Sequence, residues 1–215
     1  MKTDDFISML ATGVTPVDRH AQRKSFSMAI LVGAAAAVLM TIVLFGLRHD
    51  IRIMLVTPLF WIKMAFPAAL AVLSLRLLLR ASRPGMPRQA SWLVLAPGLP
   101  ILAVWLGALV LLINAPAELR WQLIMGLTWR VCPLCIVLLS LPLCVTITRA
   151  VRQMAPTRLR LAGAAAGLLA SSIATMAYCL HCPEMSAAFW GIWYLLGMLI
   201  PAIAGAILGP RLLRW

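Results

Sequence analysis

The stretch that decides the fold is LAGAAAGLLASSIATMAYCLHCPE, residues 161–184. Its first twenty residues, 161–180, are predominantly apolar, and about 20 such residues allow a helix to cross a bilayer. Gly163 and Gly167 have the GxxxG spacing that lets membrane helices approach closely, either within one bundle or between two copies. The run ends in a CxxC that contains a histidine and is followed by a glutamate. The stretch therefore predicts a transmembrane helix with chemically reactive groups at its end.

Five further apolar runs of similar length account for most of the chain. They occupy residues 28–47, 54–75, 92–113, 132–147 and 190–208. Hydrophobic residues make up 63% of the 215 positions, and the mean hydropathy is +0.97, whereas soluble domains are about 45–50% apolar. We therefore expect an all-α fold, an integral membrane bundle of six transmembrane helices. Tryptophans near the run ends, such as Trp129, Trp190 and Trp193, are typical of interfacial anchors.

The basic residues are unequally divided between the two sides of such a bundle. Of the 19 Lys and Arg residues, 14 lie in the head, the second and fourth loops and the tail. The other loops hold Arg48, Arg52, Arg120 and Arg130, and Lys63 lies inside a run. By the positive-inside rule both termini are cytoplasmic, in a bacterial inner membrane. The net charge of +13 is therefore expected from basic loops that flank a lipid bilayer, and it does not indicate nucleic-acid binding.

The chain divides into a short polar head and a membrane domain. Residues 1–25 form the head, and residues 26–215 hold the six spans. The polar stretch is too long for the n-region of a signal peptide, and the run that follows is long enough to span. We therefore expect the head to be retained as a cytoplasmic segment.

The head carries the pattern of an amphipathic helix. Thr3 suits the N-cap, and Asp4 and Asp5 suit the first turn, where they complement the helix dipole. The apolar positions at helical spacing are Phe6, Ile7, Leu10 and Val14. Pro16 should end the helix at about Thr15. Because a helix of about a dozen residues is marginal alone, we expect a partner protein, or alternatively a lipid surface, to complete it.

Two cysteine pairs arrive on the same, outer side of the predicted bundle. Cys132 and Cys135 begin the fourth run, and Cys179 and Cys182 end the fifth. Antiparallel neighbouring helices would bring the pairs together. Cys144 lies deeper and alone, where a free cysteine packs as a small apolar residue.

Three uses of these cysteines remain open from the residues alone. The first is a redox sensor in which Arg130 or His181 favours a thiolate that becomes oxidised. The second is a soft-metal site, built from Cys132, Cys135, Cys179, Cys182 and His181, with Glu184 as a further ligand or as a group that tunes a thiol. The third is a set of structural disulfides, since the outer side of the membrane is oxidising.

Lys63 is a charged side chain predicted inside the bilayer. It comes about ten residues into the second run, or roughly 15 Å at 1.5 Å per residue. A charge at that depth is costly and usually faces the bundle interior. Either Lys63 points into a polar site or it extends outward to the membrane surface.

An enzyme is the alternative to a regulator. Two outer cysteine pairs in a helical bundle suit a thiol-disulfide oxidoreductase of the DsbB kind. The outer loops are short, however, and such an enzyme would leave the amphipathic head unexplained. Paired intramembrane carboxylates are absent from the sequence, which disfavours a proton-driven transporter.

The sequence resembles the NrsF-type membrane anti-sigma factors over most of its length. The resembling residues are Thr3-Asp4-Asp5 with Ile7, Leu10-Ala11 and Pro16-Val17; Trp61-Ile62-Lys63; Arg83-Pro84-Gly85; Trp129-Arg130-Val131-Cys132; His181-Cys182-Pro183-Glu184; Trp193-Tyr194-Leu195-Leu196-Gly197; and Gly209-Pro-Arg-Leu-Leu-Arg-Trp215.

The resemblance implies six membrane helices and a regulator, not an enzyme, with no resident cofactor. It implies an N-terminus that sequesters an extracytoplasmic-function (ECF) sigma factor and releases it under heavy-metal or oxidant stress. On the head, the implied sigma-binding residues are Asp4, Asp5, Phe6, Ile7, Leu10, Val14, Pro16 and Val17. The family's two cysteines fall on Cys132 and Cys182, which are then also the implied ligands of a transiently bound metal. Cys135 and Cys179 are additions in this sequence.

Overall fold

The computed structural model describes residues 3–12, 21–82 and 92–214, and within these residues the secondary structure is helical, with connecting turns and no strand. The helices are α1 Thr3–Ala11, α2 Ala21–Met40, α3 Ile51–Val56, α4 Pro58–Ala81, α5 Trp92–Leu95, α6 Gly98–Asn114, α7 Ala117–Met125, α8 Cys132–Arg152, α9 Leu159–Tyr178, α10 Ala187–Phe189 and α11 Leu195–Leu212. Two π-helical segments, Thr41–Phe45 and Trp190–Tyr194, continue α2 and join α10 to α11.

Six segments are long and apolar enough to cross a membrane, which confirms the predicted number. Span 1 is Lys24–Phe45, span 2 Pro58–Ala81, span 3 Trp92–Asn114, span 4 Cys132–Arg152, span 5 Leu159–Tyr178 and span 6 Ala187–Leu212. Span 2 begins four residues later than the predicted residue 54. Thr57 is extended, with a ψ of 123°, and Pro58 is the first helical residue. A residue before proline is held out of the α region, whereas proline suits the first helical position.

Span 5 is the centre of the bundle. Of its most apolar window, 72% is buried, against 11% for span 3, and it packs on spans 2, 4 and 6. Small residues make this possible, because a Cβ on Gly163 would collide with the carbonyl oxygen of Gly205. The two backbones are therefore in direct contact, and the GxxxG spacing serves contacts within one bundle.

The N-terminal helix is shorter than predicted. It ends at Ala11, not at Thr15, and the hydroxyl of Thr12 bonds back to the carbonyls of Ser8 and Met9 at 3.0 and 2.7 Å. Asp4 and Asp5 lie in the first turn, as predicted. Thr3 is the first helical residue and not a cap preceding the helix.

The large apolar side chains of α1 are exposed. The exposed fractions are 45% for Phe6, 57% for Ile7 and 60% for Leu10. Their apolar face therefore has no cover from the rest of the described chain. Val14, Pro16 and Val17, the other predicted members of this surface, lie outside the described residues.

Candidate functional site

The two cysteine pairs meet where spans 4 and 5 come together. Cys132 is the first residue of α8, and Cys182 lies in the loop 179–184 that follows α9. Their side chains hydrogen-bond to each other. All four cysteines of the two pairs are buried, and all are free thiols. The predicted juxtaposition is confirmed, and it brings Cys132 and Cys182 into direct contact.

Lys63 reaches into this site from span 2. Its ammonium nitrogen Nζ donates to the carbonyl oxygens of Cys182, at 2.7 Å, and Glu184, at 2.9 Å. It also lies 5.5 Å from the centroid of the Tyr194 ring. The side chain is fully buried, so the outward-extending alternative is wrong. As the sixth residue of α4, it lies about 8 Å along the helix axis from Pro58.

A second cation, Arg48, holds the same loop from the end of span 1. Its backbone N–H donates to Leu180 O at 3.4 Å, and its Nη1 donates to Cys182 O at 3.4 Å. Two further guanidinium bonds, of 2.5 and 2.7 Å, go to the carboxylate of Asp50. Those hydrogen bonds are the main reason that the pKa of Asp50 lies below its usual value. Unlike Lys63, Arg48 is therefore already paired with an acid.

His181 and Glu184 connect the cysteine loop to other elements. The Nδ1 atom of His181 lies 3.0 Å from Gly46 O, beyond the last turn of span 1. The Glu184 carboxylate accepts a 2.6 Å hydrogen bond from the Leu127 N–H. Gly126 permits that bond, because its φ is +57° and a Cβ there would lie 2.7 Å from the carboxylate. Both residues thus attach the loop to neighbouring elements, and the Glu184 backbone N–H also donates to the Cys182 sulfur.

The electrostatics of the loop distinguish its two cysteines. The hydrogen bond from Cys132 lowers the pKa of Cys182, and the positive charge of Lys63 lowers it further, outweighing the opposing effect of burial. Burial raises the pKa of Cys179 to about 12. Cys182 is consequently the residue favoured as a thiolate. The predicted cation Arg130 lies instead 5.0 Å over the Trp129 ring.

Comparison with known proteins places this arrangement in a family. The family model described as "Negative regulator of sigma F" (NrsF) matches residues 10–215. The chain belongs to the NrsF family. It is 47% identical to the "Probable anti-sigma-F factor NrsF" of Azospira oryzae and 32% identical to the "Anti-sigma-F factor NrsF" of Caulobacter vibrioides, over 215 residues and the full length of each protein. No solved structure matches.

Both NrsF relatives are named as regulators and neither as an enzyme. The buried cysteines agree with this, because a dithiol oxidoreductase must present a sulfur to its protein substrate. In this NrsF chain, Cys132 and Cys182 are both 0% exposed. The arrangement is therefore that of a shielded thiol pair, not of a surface redox centre.

The larger predicted metal site is not assembled in this NrsF chain. Within residues 3–12, 21–82 and 92–214, no group of three or more His, Cys, Asp and Glu side chains is placed to hold a metal ion. Two neighbouring sulfurs, Cys132 and Cys182, are what the structure provides, and paired thiolates suit soft ions. Cys144 is half-buried and packs against the core, as predicted.

Sequence reasoning missed several residues of this NrsF site. Trp190 is almost fully buried, and its Nε1 donates to Glu184 O at 3.2 Å, so its assignment as an interfacial anchor is wrong. Thr128 Oγ1 lies 3.9 Å from the Cys182 sulfur. The hydroxyl of Tyr194 is buried, and it hydrogen-bonds to the side chains of Cys179 and Cys182. The available signal was the position of Tyr194 within the Trp193–Gly197 motif.

Proposed function

We propose that this protein is an inner-membrane anti-sigma factor. It sequesters an ECF sigma factor of the sigma-F type through its N-terminal head and releases it when the Cys132–Cys182 pair is modified. The observation that carries this proposal is the direct contact of two buried thiols at one end of a bundle whose N-terminal helix has an uncovered apolar face. Membership of the NrsF family supports the regulatory role.

The orientation of the chain follows from its basic residues. Fourteen of the 19 Lys and Arg residues lie on the side that carries both termini, so the positive-inside rule makes the termini cytoplasmic. The cysteine pair then faces the periplasm, where disulfides persist. The head is correspondingly on the side where a sigma factor is found.

The head offers a surface suited to helix-in-groove recognition. Phe6, Ile7 and Leu10 lie on one face of α1 and are all exposed. An amphipathic helix commonly docks such a face into an apolar groove of its partner. Asp4 and Asp5 in the first turn add acidic groups that would favour a basic rim around that groove.

The route between the ends runs through span 1. The cysteine loop contacts the end of this span through Arg48 and through the His181–Gly46 contact. The other end of span 1 leads through residues 13–20 to α1. Modification of the thiol pair changes the packing of the loop, and the change reaches the head as a switch between two arrangements of the bundle.

Two experiments test the proposal. In the first, the sigma-dependent transcript is measured under cadmium or a hydroperoxide. The wild-type protein and Cys144→Ser release the sigma factor, whereas Cys132→Ser, Cys182→Ser and the double variant do not respond. An unchanged response in all three would remove the thiol pair from sensing.

The second experiment tests the orientation of the chain by labelling cysteines introduced at exposed positions. Such positions are needed because the native cysteines are buried or half-buried. Leu127, at 92% exposure, adjoins the cysteine end, and Thr12 is exposed after α1. A membrane-impermeant maleimide applied to intact spheroplasts labels Leu127→Cys, whereas Thr12→Cys reacts only after lysis. The reverse pattern would refute the assignment of the head to the cytoplasm.

A further inference from the structure

Within the described residues, the buried cation beside the thiol pair has no carboxylate partner. Lys63 is fully buried, and its ammonium donates only to carbonyl oxygens in the hydrogen bonds described. Among the described residues, the ion pair present is Arg48–Asp50, and the Glu184 carboxylate is engaged by Leu127 N–H. A buried charge is costly unless an opposite charge compensates it. The ionisable groups beside it are the thiols of Cys179 and Cys182 and the phenol of Tyr194. Of these three residues, Cys182 is the one to which the ammonium donates, through the carbonyl oxygen at 2.7 Å.

We propose that Lys63 is the counter-charge of a Cys182 thiolate, so that both oxidants and soft metal ions act by removing the negative charge that compensates it. This proposal rests on the proposed sensing function and identifies the residue that detects the chemical state of the pair. Lys63 is a positioning residue, since it acts through Cys182 and the loop carbonyls that it holds.

Oxidants and soft metal ions both remove the negative charge of the Cys132–Cys182 pair. The resting pair, Cys132–SH with Cys182–S⁻, carries one negative charge. A divalent soft ion that binds both sulfurs displaces the Cys132 proton and gives a neutral dithiolate complex. A disulfide is likewise neutral. In both products Lys63 stays buried without its anion, and the loop is driven to rearrange.

The oxidation step balances with a hydroperoxide as the oxidant. The Cys182 thiolate attacks the peroxide oxygen, an S–O bond forms, the O–O bond breaks, and the leaving alkoxide takes the Cys132 proton. The Cys132 thiolate then attacks the Cys182 sulfur, the S–S bond forms, and hydroxide leaves. The two sulfurs together lose two electrons, and the peroxide is reduced to an alcohol and hydroxide.

Other ionisable and charged groups surround Cys182 from each neighbouring element. They are Arg48 after span 1, Cys132 and Cys135 on span 4, Tyr178 and Cys179 at the end of span 5, His181 and Glu184 in the loop, and Tyr194 on span 6. Of the cations in this set, Arg48 is paired with Asp50. Lys63 is therefore the residue whose replacement removes an uncompensated positive charge.

The test is the pH profile of alkylation at Cys182, measured by site-resolved mass spectrometry on the full-length protein in lipid nanodiscs with N-ethylmaleimide. In the wild type, the midpoint lies below the ordinary thiol value of about 8.5. In Lys63→Met it rises by about one to three pH units, the effect of a lost charge at this range. Lys63→Arg retains the low midpoint, and Arg48→Gln moves it less than Lys63→Met.

Several results would overturn the pairing. The first is a wild-type midpoint for Cys182 alkylation at or above the ordinary thiol value, a result that needs no variant to fold. The second is a Lys63→Met midpoint equal to that of the wild type. The third is a shift as large as that of Lys63→Met when Lys63 is replaced by Arg, or when alkylation of the distant Cys144 is followed in Lys63→Met. The sigma-release assay separates this failure from failure of the sensor. If Cys182→Ser responds normally while Lys63→Met moves the midpoint, the sensing function fails and the charge pairing stands. If Cys182→Ser loses the response while Lys63→Met leaves the midpoint unmoved, the sensing function stands and the charge pairing fails.

Discussion

The cysteine end and the N-terminal helix are opposites in how they are completed. At the cysteine end, the loop 179–184 is held by Lys63 of span 2 and by Arg48, which follows span 1, and its thiols are buried. On α1, Phe6, Ile7 and Leu10 are exposed with nothing over them in the described part of the chain. The side chains of the cysteine end are covered by the protein's own chain, whereas the apolar face of α1 needs another molecule to cover it. A sensor needs a defined resting state, and a docking element needs a free face.

The largest effect should come from breaking the bundle that joins the two regions. In Gly163→Ala the new Cβ collides with the Gly205 carbonyl, and backbone cannot move aside as a side chain can. We expect loss of folded protein, measured by thermal unfolding in detergent. Binding of the sigma factor and its release under stress should be lost as well. Gly107→Ala is the control, since nothing lies within 4 Å of its Cβ, and it should be tolerated. A stable Gly163→Ala bundle would contradict the described packing of spans 5 and 6.

The next effect should separate the head from the bundle. Replacing Phe6, Ile7 and Leu10 together by Asp should weaken sigma-factor binding more than about tenfold, because central apolar contacts carry most of an interface's free energy. The thermal stability of the bundle and the chemistry of its cysteines should not change. Ser8→Ala, on the opposite face of α1, is the matched control for co-purification. Undiminished binding by the triple variant would exclude this face as the docking surface.

A third contrast lies inside the cysteine loop. Because the pKa of Cys182 is lowered and that of Cys179 is raised to about 12, Cys182 is the thiolate at pH 7 and Cys179 remains protonated. Alkylation at pH 7 should therefore modify Cys182 well before Cys179. Acidification through the lowered pKa of Cys182 should remove this preference. Faster modification of Cys179 than of Cys182 at neutral pH would reverse the assignment of the reactive sulfur.

The smallest effect should come from loosening one attachment of the loop. Glu184→Ala removes the acceptor of the Leu127 N–H, and a net hydrogen bond contributes about 1 kcal/mol. We expect the cadmium concentration needed for half-maximal sigma release to change by no more than about fivefold, at about 1.4 kcal/mol per tenfold. Glu118→Ala, in the exposed first turn of α7, should leave it unchanged. A complete loss of response in Glu184→Ala would show that this attachment is essential to sensing.

What the sequence predicted well follows from local rules. Runs of about 20 apolar residues are sufficient to identify the spans, and an antiparallel hairpin was sufficient to bring Cys132 and Cys182 together. The start of span 2 was also readable, since Pro58 marks it, but hydropathy alone set the predicted boundary too early. The early end of α1 falls beside Gly13, a residue type that often ends helices.

The partners of Lys63 were not predictable in the same way. They are backbone carbonyls of Cys182 and Glu184, 119 and 121 positions away in the chain, and every residue supplies a carbonyl. No residue pattern therefore marks them. A carboxylate at matching depth is the partner that a sequence can indicate for a buried lysine, and here the acceptors are carbonyl oxygens instead. Burial of Trp190 was hidden for a related reason, because tryptophan is common both at membrane interfaces and inside bundles.

The most direct measurement is the affinity of the purified sigma factor for the full-length protein in nanodiscs, with the Cys132–Cys182 pair reduced and then oxidised to a disulfide. We expect weaker binding on oxidation, by about 5- to 150-fold as is usual for coupling between distant sites. We expect no change when Cys132→Ser is treated identically. Equal affinities of the reduced and oxidised wild-type protein would contradict the claim that this pair controls the head.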